Sequence, residues 1–594
     1  MLWPREHFRV AFKQVVSDAI DTHGASVLLL VALDVDSIAA VSILTSLLQA
    51  ELVAYSMVPV AGYKQMAAMT FSSEIRSIFL INCGAMIDVY STLKLTDQKV
   101  YVIDSHRPLH LANVYDRHGT VVLFDDEGQA EDDFPDDGSD IAAIELEEDD
   151  DSDNERDHDS DDDDDSETEA DLVDTTATNG KRKRTDSTGS LTSDDNGDDN
   201  GDNVVDNGDN SDDEEAGEDI DGGGDDDEVR SDGDGSEEDE AQDNSGDGEP
   251  DAEQVPPPAT AITSDKLPSK RYGLNIKRRL DILQYYRGTF HGAPAATLAF
   301  ELASQLNMGT ADKVWLAIVG LTKQFVAQQI DADNYNMLVQ KFQDEVLALP
   351  SNGGSNDVVH DFKYQWCAAD VVHGLSALLE APLHVARKAL ADHVPDALQG
   401  TSDDDNSTDG TPSAPYWQHS FHLALDALPC SSTRSCVLLE RGMAMAMQLQ
   451  QAVVTLGVSI LDRKLIVRVK HFRFVCLRLS EEEEHLCGHP STLSRLALFL
   501  VDVHREQGKW IGKHAAPFVL IAHIKARNVY LVVGVTCPER AGDIHRNTLG
   551  TAFALAAAET GAASTYDGFE TTVMELHMDD INVFVEQLHN VMDA

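Results

Sequence analysis

The chain of 594 residues has few cysteines and no long apolar run. Its 7 cysteines are scattered without a Cys-x-x-Cys pair, which argues against a zinc knuckle and against the disulfide framework of a secreted domain. The apolar run Val27 to Leu33 is only as long as a strand, so no membrane span is expected. The first six residues also lack the pattern of a secretory leader. These absences predict a soluble intracellular protein.

Basic residues are scarce, and the shortage is concentrated in one part of the chain. The sequence holds 44 Lys and Arg against 106 Asp and Glu, for a net charge of −62. Asp125 to Gln254 include 58 acidic and 6 basic residues, which leaves 48 acidic and 38 basic residues elsewhere. A segment of this composition, rich in Asp, Ser, Gly and Asn, cannot bury enough apolar surface to offset its ordering entropy. We therefore expect residues 125 to 264 to form a disordered acidic insertion.

Two carboxylates follow the first predicted strand. The run Val27 to Leu33 is followed by Asp34 and Asp36, and Ser37 is predicted to cap the next helix. The apolar residues predicted for the inner face of that helix are Ile38, Val41, Leu44 and Leu48. Strand-to-helix junctions are where open α/β sheets place their ligands. The two carboxylates are therefore candidate site residues.

The first 124 residues alternate strand and helix, which predicts a parallel-sheet α/β domain over residues 1 to 124. Its predicted strands are Val27 to Leu33, Val53 to Val58, Ile78 to Ile81 and Val100 to Ile103. The third strand ends in Asn82, and the fourth leads into Asp104, Ser105 and His106. We expect these polar groups to converge on one edge of the sheet with those of the first strand.

These strand ends resemble those of the DHH phosphoesterases of the RecJ exonuclease type, whose aspartates and histidines hold two manganese ions. The residues that match that pattern are Asp34, Asp36, Asn82, Asp104, Ser105 and His106. Two ligand positions differ, because Asn82 replaces an aspartate and Ser105 replaces the first histidine of Asp-His-His. Paired divalent cations need anionic or imidazole ligands. The resemblance therefore implies a vestigial pocket with no catalytic residue and no bound metal.

The same partial loss of ligands is found in the cell division control protein 45 family, which the chain resembles more widely. The segments that carry this resemblance are Leu80 to Ala85, His106 to Pro108, Asp281 to Leu283, Tyr285 and Tyr286, His291 and Gly292, Phe300 to Ala303, Trp315 to Thr322 and Ala368 to Val372. That family is an inactive descendant of RecJ-like nucleases and belongs to the eukaryotic replicative helicase. A looser resemblance extends over the C-terminal region.

The resemblance implies a nuclear, non-catalytic scaffold subunit without a cofactor, which acts in the initiation and elongation of DNA replication. Its expected partners are the minichromosome maintenance hexamer, the GINS complex and replication initiation factors.

The alternative is a manganese-dependent phosphoesterase or exonuclease with an incomplete ligand set. Its metal ligands would be Asp34, Asp36, Asp104 and His106. Taken singly, the aspartates are better explained as helix caps and the histidine as a surface residue, but their occurrence together at successive strand ends favours a site. The changes at Asn82 and Ser105 favour the scaffold.

Residues 265 to 349 are predicted to form a helical region that completes the N-terminal body. Thr310 is predicted to cap a helix in this region. The predicted inward-facing residues of that helix are Trp315, Ile318, Val319 and Thr322. Gly320 within it costs about 1 kcal/mol relative to alanine. A glycine there predicts a close packing contact.

Residues 350 to 413 are predicted to be a shortened interdomain region. The resembled family carries a long, largely helical stretch here and uses it to dock on the helicase. This chain has only Gln340 to Tyr364 between the corresponding segments. Either the gene model has dropped coding sequence, or this lineage has shortened the element.

Residues 414 to 594 are predicted to form a smaller C-terminal α/β domain, which resembles in position the accessory domain that closes over the RecJ cleft. Its predicted strands are Leu465 to Val469, Phe472 to Leu477, Phe518 to Ala522, Val529 to Val535 and Thr572 to His577. Its predicted helices are Arg546 to Thr560 and a final helix after Asp579. A turn is expected at Lys525 to Asn528.

A basic cluster within the acidic insertion is a candidate nuclear import signal. It consists of Lys181, Arg182, Lys183 and Arg184. An isolated fluctuation in charge is the alternative. Gly508 to His514 superficially resembles a phosphate-binding loop, but a histidine stands where the hydroxyl for magnesium is required, so no nucleotide site is expected.

A second basic segment is a candidate contact for single-stranded DNA through phosphates and base stacking. Its basic residues are Arg463, Lys464, Arg468, Lys470 and Arg473. A solvated strand is an equally simple interpretation of this pattern. Because the chain outside the insertion is net negative, such binding is expected to be weak and sensitive to salt.

Overall fold

The computed structural model of the chain describes residues 1–20, 26–116, 118–128, 134–135, 270–348, 366–380, 416–429, 432–510, 512, 515–566 and 568–593. Most of the predicted acidic insertion, including the candidate import cluster at 181–184, lies outside these segments. Residues 350–365 and 381–413 of the predicted interdomain region also lie outside them. The described residues all belong to one compact unit of the chain.

The N-terminal body is built on a parallel six-stranded sheet. The strands of the described residues up to 348 are β1 (Leu2–Trp3), β2 (Val27–Ala32), β3 (Tyr55–Val60), β4 (Ser77–Ile81), β5 (Lys99–Ile103), β6 (His106–Arg107), β7 (Val121–Phe124) and β8 (Phe290–His291). The sheet has the order β1-β7-β5-β4-β2-β3, and β6 pairs with β8 in a separate antiparallel ribbon. The predicted strands are confirmed with small shifts at their ends. They are nearly continuous apolar runs because helices cover both faces of a parallel sheet.

Helices surround this sheet and extend into the middle of the chain. They are α1 (Phe8–Ile20), α2 (Val35–Ala50), α3 (Tyr63–Ala67), α4 (Val89–Leu93), α5 (Leu111–Val114), α6 (Lys270–Tyr285), α7 (Ala295–Gln305), α8 (Ala311–Val326), α9 (Ala332–Ala348) and α10 (Ala368–Glu380). The helical character predicted for residues 265 to 349 is thus confirmed for the described part of that region. Helices α2, α7 and α8 pack against one another and contribute to the first core.

The predicted start of helix α2 was wrong. Asp34, which is extended at φ −137° and ψ 164°, is its N-cap residue, and Ser37 lies inside the first turn. The carboxylate of Asp34 accepts a hydrogen bond from the backbone nitrogen of Ser37 at 3.0 Å. Asp34 directly precedes the first turn of the helix, so its carboxylate can accept from the free N–H groups there. Ser37 already lies within that turn.

Gly320 lies where helix α8 crosses α2 and α7. A Cβ atom at this position would lie 2.4 Å from Oδ1 of Asp36 and 2.6 Å from Cβ of Ala296. The close contact predicted from the sequence is therefore confirmed. Thr310 is the N-cap residue of α8, as predicted, but its side chain makes no capping hydrogen bond.

We expect Gly320→Ala to destabilise the protein, although alanine is the better helix former. The added methyl group would overlap two buried neighbours, and overpacking of this kind costs about 1–3 kcal/mol. Urea unfolding measures the loss. The control is Ala444→Gly at an exposed helical position, which isolates the intrinsic propensity difference of about 1 kcal/mol. Unchanged or increased stability of Gly320→Ala would contradict the contact.

A second α/β body follows. Its strands are β9 (Val467–Arg468), β10 (Arg473–Arg478), β11 (Phe518–Ile524), β12 (Val529–Val535), β13 (Ser564–Thr565) and β14 (Val573–His577), in the order β13-β14-β12-β11-β10-β9. Its helices are α11 (Tyr416–Ala427), α12 (Thr433–Asp462), α13 (Glu481–Cys487), α14 (Pro490–Glu506), α15 (Leu549–Thr560) and α16 (Ile581–Asp593). The antiparallel pair β11–β12 confirms the turn predicted at Lys525 to Asn528, and β9 pairs with β10 in the same antiparallel way. The C-terminal body therefore has its own mixed sheet.

Helix α12 connects the two bodies because it packs into both cores. Leu438 and Leu439 belong to the first core, whereas Val453 and Ile460 belong to the second. The domain boundary predicted at residue 414 therefore lies before α12, a helix that both bodies share. By length and composition, α12 is also the one helix among the described residues that could cross a membrane. Length and composition alone do not distinguish a membrane span from a core helix, and α12 packs into both cores.

Candidate functional site

The polar residues predicted at the strand ends lie at the carboxyl ends of β2, β4 and β5, which are neighbours in the sheet. Nδ2 of Asn82 donates to Oδ2 of Asp36 at 2.8 Å, and the backbone nitrogen of Ser105 donates to Oδ1 of Asn82 at 2.9 Å. Nδ1 of His106 lies 2.7 Å from Oδ1 of Asp104. The structure therefore brings these five side chains into one cluster, whereas the carboxylate of the sixth, at residue 34, caps helix α2.

Asp36 is fully buried, and its carboxylate holds the start of helix α7. Oδ2 accepts a hydrogen bond from the backbone nitrogen of Ala295 at 2.8 Å, and Oδ1 accepts one from Ala296 at 2.9 Å. With the amide of Asn82, three internal donors face this carboxylate. Burial, followed by the charge of Asp34, raises its pKa, and the hydrogen bonds counteract part of that rise. The aspartate at this position thus has a structural role.

Asn82 connects two of the strand ends. Its backbone is in the left-handed region at φ 52°, which asparagine tolerates better than most residues. The side-chain oxygen accepts hydrogen bonds from both the backbone nitrogen and the hydroxyl of Ser105, at 2.9 and 3.2 Å. Both ends of the amide are therefore occupied by protein partners, so its oxygen is not free to bind a cation.

Asp104 is buried and accepts four hydrogen bonds. Oδ2 accepts from the backbone nitrogens of Gly84 and Ala85, each at 2.8 Å. Oδ1 faces both the backbone nitrogen and Nδ1 of His106, at 2.9 and 2.7 Å. Burial alone would raise the pKa of this carboxyl, but the charge of His106 and these hydrogen bonds lower it to about 2. The group is ionised and fully paired.

A cluster of three side chains extends the site to the C-terminal body. His106 and His291 are cross-strand partners in the β6–β8 ribbon. Oε1 of Glu570 lies 3.2 Å from Nε2 of His291 and 3.8 Å from Nε2 of His106. Sequence analysis predicted only His106 as a site residue. His291 stood in a segment of family resemblance, but no local signal connected either histidine to a glutamate almost at the end of the chain.

Charges within this cluster shift the pKa of each member. Burial lowers the pKa of His106, but the charge and hydrogen bond of Asp104, with a further contribution from Glu570, raise it to about 10. Burial lowers the pKa of His291, and Glu570 compensates only in part. Burial raises the pKa of Glu570, but the charge of His291 and the hydrogen bonds of both histidines bring it well below its usual range. The glutamate is therefore ionised.

A buried ion pair supports the ribbon from behind. Nη2 of Arg107 lies 2.8 Å from Oδ2 of Asp126, and their side chains are only 1% and 2% exposed. Nη1 of Arg107 also donates to the carbonyl oxygens of Asp104 and His106, both at 2.9 Å. A Cβ atom at Gly292 would lie 1.9 Å from the same Asp126 oxygen, so only glycine fits there. Asp126, which composition placed in the acidic insertion, is thus part of the buried structure.

A cleft of about 1340 Å³ opens in front of the site. Its lining includes Asp34, His106, His291, Lys323, Arg495 and Glu570, from both bodies. Nζ of Lys323 donates to Oε1 of Gln329 at 2.8 Å, and Nε2 of Gln329 donates to Glu570 at 3.1 Å. The cleft therefore contains an ammonium group close to the histidine and glutamate cluster.

The predicted DNA-contact segment lies on the edge of the second sheet. Arg463, Lys464, Arg468 and Lys470 are exposed, and Lys470 pairs with Asp593. Arg473 requires a correction, because it is only 4% exposed. Its guanidinium carbon lies 4.5 Å from the ring centroid of Trp510, in cation–π contact. It packs inside the C-terminal body and does not reach DNA.

The pocket does not fit two manganese ions of the kind that RecJ-type enzymes hold at the matching positions. The carboxylates of Asp36 and Asp104 already accept hydrogen bonds from three and four internal N–H groups. Asn82 and Ser105 bond to each other and carry no charge. A cation at these positions would have to displace several buried hydrogen bonds. The arrangement therefore does not support metal-assisted hydrolysis there.

The fold and site define a class of two-body α/β proteins, in which a polar pocket at the carboxyl ends of parallel strands is bonded internally. Comparison with known proteins agrees, since the CDC45 family model matches residues 27–361 and 355–591. The chain belongs to the CDC45 family, a family of DNA replication proteins. The resemblance found in the sequence is thereby confirmed.

Individual relatives match over most of the chain. Cell division control protein 45 homolog of Schizosaccharomyces pombe is 26% identical over 700 aligned positions, covering 96% of this chain and 97% of that protein. The homolog of Dictyostelium discoideum is 26% identical over 678 positions, covering 96% of each. The crystal structure of CDC45 from Entamoeba histolytica matches with a TM-score of 0.52 at 14% identity, covering 100% of both chains. This likeness supports the fold alone.

The manganese complex of RecJ from Thermus thermophilus is a weaker structural match. Its TM-score is 0.41 at 12% identity, covering 99% of this chain and 54% of that chain. A TM-score of this size does not support any conclusion about the site.

Proposed function

We propose that this chain is a non-catalytic scaffold subunit of the eukaryotic replicative helicase, joining the minichromosome maintenance hexamer and the GINS complex. The observation that carries the proposal is the internal bonding of Asp36 and Asp104. A metal-dependent hydrolase uses such carboxylates to hold cations and acidify a bound water. Here they fix the start of helix α7 and the turn after β4. The former catalytic edge thus stabilises the fold.

A bridging subunit needs rigid bodies with broad surfaces, since stable interfaces bury on the order of 1,000 Å² or more. The sharing of helix α12 by both cores provides such rigidity. The proposed docking stretch for the hexamer is the shortened region after Gln340. The two matched segments of the family model overlap at residues 355–361, within this stretch. GINS contacts are proposed for the N-terminal body.

We expect the purified protein to show no manganese-dependent hydrolysis of single-stranded DNA. The reason is that the buried carboxylates are already paired and that Asn82 and Ser105 are uncharged. The assay measures release of nucleotides with and without added manganese. Asp34→Ala is the informative variant, because residue 34 lines the cleft and its loss leaves the buried cluster intact. Hydrolysis that this substitution abolishes would instead establish the phosphoesterase alternative.

Co-purification from replicating cells tests the scaffold role. Recovery with both the hexamer and GINS supports it, and recovery with GINS alone locates a defect in the shortened stretch. Recovery with neither complex, from cells without a longer version of the gene, contradicts the proposal. Nuclear accumulation of the tagged protein, with and without alanine at residues 181–184, tests the proposed location and import signal in the same cells.

A further inference from the structure

His106, His291 and Glu570 form a compact set of potential ligands in the cleft. One ring nitrogen of each histidine and one oxygen of Glu570 all lie within 4.8 Å of one another. Oε1 of Glu570 is 3.2 Å from Nε2 of His291 and 3.8 Å from Nε2 of His106. A metal ion bound at about 2.0–2.2 Å in tetrahedral geometry holds its ligand atoms about 3.4 Å apart. The two measured separations lie on either side of that value.

The surrounding structure orients His106 as metal-binding histidines are oriented. Nδ1 lies 2.7 Å from Asp104, whose other oxygen is fixed by two backbone N–H groups. Nδ1 therefore donates a hydrogen bond to the carboxylate, and Nε2 is directed toward Glu570. A carboxylate behind the ligating histidine is the usual outer-shell arrangement of zinc sites, where it fixes the ring and strengthens the ligand.

The loop that carries Glu570 is held in place independently of any ion. The ring of Phe569 lies 4.9 Å from that of Tyr63, and Phe569 is 7% exposed. A Cβ atom at Gly62 would lie 3.0 Å from the backbone nitrogen of Gly568, so the two loops touch. The glutamate is thereby presented to the β6–β8 ribbon by packing between the bodies. Its side chain is 41% exposed, which leaves a side of the cluster open to the cleft.

We propose that His106, His291 and Glu570 bind a divalent transition-metal ion of the zinc type, with an open coordination position facing the cleft. Two imidazoles and one carboxylate suit zinc among the first-row metals, and three protein ligands plus a water form a complete tetrahedral site. On binding, the ion takes the place of the proton on the ligating nitrogen of each histidine; a protonated imidazole releases that proton to solvent, whereas in a neutral imidazole it moves to the other ring nitrogen. The site shares only His106 with the RecJ-type positions and is independent of the proposed scaffold role.

The consequence of binding is mechanical, because the ligands come from different parts of the chain. The histidines belong to the N-terminal body, and Glu570 precedes β14 of the C-terminal body. An ion would connect the two bodies across the cleft and stabilise their packing against each other. A ligand that binds only the folded state raises the melting temperature with its concentration.

The experiment uses the full chain, treated with a chelator and then titrated with Zn²⁺ by calorimetry and with Co²⁺ by visible absorption. We expect one ion per chain, tetrahedral Co²⁺ bands and a higher melting temperature. His291→Ala and Glu570→Gln should each weaken affinity roughly tenfold or more, as even outer-shell changes do at zinc sites. Glu570→Gln is nearly isosteric, so its metal-free melting temperature reports whether the fold is kept.

The matched control is His373→Ala, a histidine that lines the same cleft but lies outside the cluster. Its affinity for Zn²⁺ should equal that of the unaltered chain. Absence of stoichiometric binding would overturn the proposal. So would equal affinity in the unaltered chain, His291→Ala and Glu570→Gln, since the ion would then be bound elsewhere.

Discussion

Asp104→Ala is expected to destabilise the protein by about 3–5 kcal/mol, the range for removing one partner from a buried charged pair. The carboxylate accepts from the backbone nitrogens of Gly84 and Ala85 and pairs with His106. Its removal leaves three buried backbone N–H groups, those of Gly84, Ala85 and His106, without an acceptor, and it takes the nearer carboxylate away from the buried imidazolium. Urea unfolding followed by tryptophan fluorescence measures the loss.

The matched control is Asp34→Ala, which also removes an aspartate at a strand end. Residue 34 is half-buried and serves as an N-cap, a role worth about 1 kcal/mol. A metal-binding role for both aspartates predicts small and similar effects on the stability of the metal-free protein. We therefore expect a gap of roughly 2–4 kcal/mol between the two variants. Equal losses would refute the structural role of residue 104.

Arg107→Ala should have an effect of comparable size. The substitution leaves the buried carboxylate of Asp126 without its counter-ion, which lowers the free energy of unfolding by about 3–5 kcal/mol. It also removes the donor shared by the carbonyl oxygens of Asp104 and His106. Because this guanidinium lies behind the β6–β8 ribbon, its loss should loosen the ribbon as well as lower the midpoint of unfolding. The backbone amide of Gly292 donates to the carbonyl oxygen of Ser105, so faster hydrogen exchange at this amide would report the loosening.

A double-mutant cycle separates the ion pair from the rest of the effect. Asp126→Leu and Arg107→Leu should each be strongly destabilising, whereas the double variant should lose less than their sum. The coupling energy is expected to be about 1–3 kcal/mol, as for residues within one buried network. Additive losses would mean that the two side chains act independently, contrary to their separation of 2.8 Å.

The strands and their polar ends could be predicted from local sequence. Apolar runs such as Ile78 to Ile81 have no alternation because helices cover both faces of a parallel sheet, and this pattern is visible in any window of the chain. Parallel strands align their carboxyl ends, so Asn82 and Asp104 had to lie near each other. The close contact at Gly320 could also be predicted locally, because a glycine inside a helix costs stability and so indicates a place where a larger residue does not fit.

Local patterns were insufficient where two residues competed for one role or where burial depended on distant elements. Asp34 displaced Ser37 as the helix cap because it meets the first free N–H groups at the strand end. Arg473 was expected to be exposed with the other basic residues of the candidate DNA-contact segment, but its guanidinium packs against the ring of Trp510. Sequence spacing alone carries no information about which residues of a strand another segment will cover.

The sequence by itself determined the α/β class, the family and the position of a polar pocket, because apolar periodicity and strand-end residues are local properties. Tertiary structure alone decided what the pocket does. The amide of Ala296, 260 positions after Asp36, satisfies that carboxylate, and Glu570 reaches the histidines from the second body. Hydrogen bonding and charge pairing depend on distances of a few ångströms between groups that the chain brings together only on folding.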